Sequence, residues 1–177
     1  MPSKFILGQR LVGLLVLCLL LKPLQIARAD PMAWRDARDM SALMAQLDLW
    51  LDKRSYLPKA ERPPMVRLVD RHALPALVGA HFAAHGGQTR GLYDPDTVTI
   101  WLIRPWDARD PRDVSVLLHE MIHHRQNGLH WYCPGAQELP AYRLQEQWLN
   151  KIGLSVSANW VAVVLEAGCT PRDIHPD

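Results

Sequence analysis

Val116-Leu117-Leu118-His119-Glu120-Met121-Ile122-His123 is the stretch from which the rest of the chain is read. Its apolar residues predict a buried helix, with two histidines four residues apart and a glutamate beside the first. Positions i and i+4 share one face of an α-helix, so both imidazoles can reach one ion about 2.0–2.1 Å away. Polar groups inside such a helix are costly to bury unless something satisfies them. The H-E-x-x-H spacing therefore predicts a Zn2+ site with His119 and His123 as ligands. Glu120 would take a proton from a zinc-bound water and hand it to the leaving amine. The plainer reading is a surface helix that carries these residues by coincidence.

From Val116 to His123 the chain resembles the zincin metallopeptidases. It departs from the extended zincin pattern at His124 and Arg125, where an uncharged and then an apolar residue are usual. Catalytic zinc has three protein ligands plus water. Glu138 follows His123 by fifteen residues and opens Glu138-Leu139-Pro140-Ala141, which is similar to the E-x-x-A element of gluzincin-type peptidases. That resemblance implies that Glu138 is the third ligand and that Ala141 lets two helices approach closely. His130 and Glu146 stay open as alternatives, and a carboxylate at a helix N-terminus is the plainer role of Glu138. Metzincins place a glycine three and a histidine six residues after the motif; Gln126 and Leu129 stand there, so that subfamily does not fit.

Tyr142 lies one turn after Glu138 and is a candidate catalytic residue, donating a hydrogen bond to a developing oxyanion. Its plainer role is packing. Gluzincins often carry an Asp at this position, so the group that orients the histidines is unassigned. By the same resemblance, residues 98–103 would lie along the cleft and bind an extended peptide by strand addition. His124 is expected off the ligand face.

Outward from the motif, Asp113 is a plausible N-cap of its helix, which ends near Asn127-Gly128. Before it, Gly91-Leu92-Tyr93, the turn Asp94-Pro95-Asp96 and the run Val98 to Ile103 read as a β-hairpin. Trp101 and Ile103 share one face; Val98, Ile100 and Leu102 share the other. Met40, Leu43, Met44, Leu47, Trp50 and Leu51 follow the spacing of an amphipathic helix. Met65 to Val69 reads as a strand and Leu74 to His85 as a helix closed by Gly86-Gly87. His81 and His85 read as imidazoles at that helix C-terminus rather than a second metal site. Leu139 to Lys151 reads as a helix ended by Gly153, and residues 158–167 as a further one. The order is that of a small α+β domain, zincin-like by resemblance.

Residues 1–29 read as a signal peptide: Lys4 and Arg10, then the apolar stretch Leu11 to Leu21, then Ala27-Arg28-Ala29 before Asp30. Lys22-Pro23 stops the apolar stretch short of the about 20 residues that span a bilayer. An uncleaved membrane anchor is the alternative. Leu17 before Cys18 argues against lipid attachment. The domain is then 30–177. The 177 residues carry a formal charge of +2, but four of the 20 basic residues and none of the 18 acids lie in 1–29, leaving a net −2. That argues against nucleic acid as a partner. Hydrophobic residues at 49% and charged ones at 21% fit a globular protein. Cys133 and Cys169 remain after cleavage and, in an oxidising compartment, can form one disulfide.

These readings converge on an exported zinc-dependent metallopeptidase, periplasmic or secreted, acting on a peptide or protein. Its size suggests a shallow cleft of low selectivity. The alternatives are a zinc-binding module of the same fold without activity, and a membrane-tethered structural protein with an incidental motif.

Overall fold

The computed structural model describes residues 32–78 and 89–169. The segment read as a signal peptide, the His81/His85 pair and the second half of the helix expected from Leu74 lie outside them. A 3-10 turn at Ala33–Asp36 leads into α1 (Met40–Arg54), β1 (Met65–Val69), the short α2 (Leu74–Val78), β2 (Gly91–Asp94), β3 (Thr99–Ile103) and α3 (Pro111–Gln126). A second 3-10 turn, Pro134–Gln137, leads into α4 (Glu138–Asn150) and α5 (Trp160–Ala167). This is a small α+β domain. Among the described residues, no helix is long and apolar enough to cross a membrane.

The sheet order is β1-β3-β2, with β1 parallel and β2 antiparallel to β3. The hairpin forms, but β3 is the middle strand, flanked on both edges. It therefore cannot take up a peptide by strand addition, which corrects the expectation for residues 98–103. Among the described residues β2 has only β3 as a partner, so β2 is the edge strand beside α3. Val98 is also not in the strand: its φ of 52° places it in the turn.

Alternation in β3 feeds two cores. Ile100 and Leu102 face α1, α3 and α4, meeting Leu43, Leu47, Leu51, Leu117, Leu118, Ile122 and Trp148, all 2% exposed or less. Ile103 and Trp101 face the opposite way, toward Val69, Leu74 and Leu92. Each such aliphatic side chain contributes about 1.5–3 kcal/mol by leaving water. α3 is thus packed on the sheet along one side, and the facing side is left for α4.

Helix ends follow local chemistry, with one correction. Asp110, not Asp113, caps α3, accepting from Arg112 N at 2.8 Å, with Pro111 in the first turn. Asp113 is buried and ties down neighbouring loops instead, accepting from Arg90 and from Asp107 N at 2.8 Å. Gly128 follows the helix with φ 88°.

Candidate metal centre

Two consecutive turns of α3 and the first residue of α4 build the site. His119 Nε2 and His123 Nε2 are 2.9 Å apart, and Glu138 Oε2 and Oε1 lie 3.4 Å from the two nitrogens. The three ligand atoms all fall within 4.8 Å of one another. Two atoms each about 2.05 Å from a tetrahedral ion would stand about 3.3 Å apart. The spacing and the donor set, two imidazoles and a carboxylate, fit zinc.

Fold geometry explains the convergence. α4 crosses α3 with Ala141 fully buried in the core the two helices share. The 3-10 turn before α4 sets Glu138 at the helix N-terminus, where its charge is favoured. Burial would raise the Glu138 carboxyl, but the two histidines beside it hold it far below the usual carboxylate range. Burial would likewise lower His123, but the Glu138 hydrogen bond and charge lift it to about 9.

The other sequence candidates separate cleanly. Glu120 is 6% exposed, lines the same cleft under β2, and its charge acts on both His123 and Tyr142. The Tyr142 ring stacks edge-on against His119, centroids 4.6 Å apart. Burial, reinforced by Glu138 and Glu120, pushes its hydroxyl up to about 12, so it keeps its proton at neutral pH. His130 is exposed beside Tyr132 and outside the cluster. Glu146 accepts from Val156 N at 2.6 Å, holding the loop before α5, and is also outside it.

His124 and Arg125, where the zincin pattern breaks, both turn away from the site. The His124 ring donates to the Arg62 carbonyl at 2.8 Å and accepts from the Tyr93 hydroxyl at 3.0 Å. Arg125 is buried against Asp48 and Asp52 of α1, each at 2.6 Å.

Three participants were not singled out from the sequence. Gln145 Oε1 lies 3.1 Å from His119 Nδ1, and Gln126 Oε1 lies 2.8 Å from His123 Nδ1. They occupy the role left unassigned above; a glutamine on a helix carries no signal of its own. Gly91 is the third, and its tight contact with Glu120 could be found only in three dimensions.

An open cleft of about 1320 Å3 runs along α3 from Arg112 to Asn127, between β2 on one side and the 155–159 loop and α5 on the other. Cys133 and Cys169 are joined at its rim, tying α5 to the loop before Glu138.

One family model, described as Domain of unknown function (DUF6647), matches residues 36–177, and the chain belongs to that family. No curated protein and no solved structure matches it.

Proposed function

We propose that this member of the DUF6647 family is a zinc-dependent hydrolase that cleaves peptide bonds, with a zincin-like active site. The observation that carries the reading is the meeting of His119, His123 and Glu138 within 4.8 Å, with Glu120 lining the same cleft. Zinc bound there would supply Lewis acidity, lowering the pKa of a coordinated water from 15.7 to about 7.

The chain's own residues would do the rest. An extended peptide would pair with the outer edge of β2 and present its carbonyl above α3. Glu120 would accept the proton of the attacking water as the new C–O bond forms. It would then deliver that proton to the amine as the C–N bond breaks. Tyr142, held protonated, would donate its O–H to the oxygen on which charge develops. The disulfide accords with an oxidising compartment, and export through residues 1–29 belongs to the same proposal.

The test is metal content of the purified protein by elemental mass spectrometry, wild type beside His123→Ala and Glu138→Ala. One zinc per chain, lost in the first variant and weakened in the second, is expected. Glu120→Gln should keep the zinc and abolish cleavage of a peptide library. No zinc in the wild type after reconstitution, or full zinc in both ligand variants, would sink the reading.

A further inference from the structure

The two ends of a carboxamide are alike in shape and opposite in function: the oxygen accepts and the nitrogen donates. In this site both directions are settled by what lies behind them. Gln145 Nε2 is 3.0 Å from Ser115 Oγ, and Ser115 commits its one hydroxyl proton to the Arg112 carbonyl at 2.7 Å. While it does so, that hydroxyl accepts from Gln145. Gln126 Nε2 is 3.0 Å from the Gln137 carbonyl, which has no proton to give.

Each NH2 group must therefore face its acceptor, and each carboxamide oxygen must face a histidine Nδ1. A ring nitrogen facing an acceptor carries hydrogen. In a neutral ring the lone pair is then left on Nε2, the atom turned toward Glu138. Gln126, Gln145 and Ser115 are 0%, 5% and 2% exposed, so bulk water does not compete for these bonds.

We infer that Gln126 and Gln145 are the positioning residues of the metal centre. They are neutral carboxamides, locked in direction by the Gln137 and Arg112 carbonyls, that fix both ligand histidines with hydrogen on Nδ1. Their purpose rests on the metal reading above; the polarity of their hydrogen bonds does not.

The two locks differ in one respect. Behind Gln145 stands a hydroxyl that can rotate and donate. Behind Gln126 stands a carbonyl that cannot. A glutamate at 145 therefore finds a donor in Ser115, while a glutamate at 126 sets a carboxylate oxygen against a carbonyl oxygen.

The experiment measures zinc affinity by competition with a chromophoric chelator, the spectrum of the cobalt-substituted protein, and ring-nitrogen NMR of the zinc-free protein. Gln126→Ala and Gln145→Ala should each lower zinc affinity by about 10- to 100-fold and shift the cobalt bands. Gln145→Glu should restore most of the affinity lost in Gln145→Ala, whereas Gln126→Glu should not restore that lost in Gln126→Ala. The near-isosteric glutamate variants keep the test alive where an alanine variant does not fold. Wild-type affinity and spectra in both alanine variants would overturn the inference, as would equal tolerance of glutamate at the two positions. If the wild type takes up no zinc, the metal reading fails alone, and the zinc-free spectra of the two rings in their neutral form still decide: hydrogen on Nδ1 of both upholds the lock, and a bare Nδ1 on either overturns it.

Discussion

Gly91 and Glu120 approach so closely that a methyl group does not fit between them. A Cβ on Gly91 would stand 2.8 Å from Glu120 Oε1 and 2.9 Å from its Cγ. Strand β2 thus lies directly on the carboxylate proposed as the base, and the missing side chain is what lets it do so.

Gly91→Ala should displace the Glu120 carboxylate while leaving the three ligands in place. Turnover is expected to fall about 100-fold, the order associated with roughly 1 Å of misplacement, with zinc content unchanged. Parallel assays of peptide cleavage and bound metal check this. Undiminished cleavage would show that Glu120 can be moved without consequence.

Zinc uptake should release a proton. His123, lifted to about 9, is an imidazolium at neutral pH in the metal-free protein, and a ligand nitrogen must be bare. Affinity should therefore rise about tenfold per pH unit toward 9 and level off above it. Calorimetry at pH 7 in buffers of different ionisation enthalpy should report about one proton released per ion. In the metal-free protein the raised value acts oppositely: its stabilisation is complete below the reference value of 6.5 and is lost as pH rises through 9.

Arg125→Ala should destabilise the domain by about 2 kcal/mol, because it removes the charged hydrogen bonds of a buried guanidinium to Asp48 and Asp52, which keep Lys59 as a partner. Denaturant unfolding measures this, and a loss under 1 kcal/mol would count against it. Burial would raise the Asp48 carboxyl, but Arg125 and Lys59 hold it below its usual value. The stabilisation from that shift is therefore present above pH 3.8 and declines as pH falls through the lower folded value. Arg125→Ala should flatten the acid limb of the stability profile.

Reducing the Cys133–Cys169 bridge should cost about 4 kcal/mol on the chain-entropy estimate for its 36-residue separation. The loop it closes contains all of α4, including Glu138. Thermal unfolding with and without reductant, beside Cys169→Ser, should show matching losses. An unchanged midpoint on full reduction would refute it.

Much of this protein is legible along the chain because it depends on local repetition. Helical spacing in α1, α3 and α4, turn chemistry at Asp94-Pro95-Asp96 and the i, i+4 pair His119/His123 are all short-range, and they place the helices, the hairpin and two of the proposed metal ligands. The E-x-x-A element pointed to Glu138, but through likeness rather than spacing alone; the crossing of α4 over α3 is what brings that carboxylate to the histidines.

Other features were decided by contacts between distant segments. β3 became the central strand because β1, more than thirty residues earlier, pairs along its other edge. The cap passed from Asp113 to Asp110 once Arg90 and Asp107 claimed the Asp113 carboxylate. Gln126 and Gln145 acquired direction only from a serine hydroxyl and a main-chain carbonyl packed behind them. Periodicity says which face of an element is turned inward. Which partner waits there, and at what distance, is set by how the layers close, and that distance decides whether a glycine, a glutamine or a glutamate does chemistry.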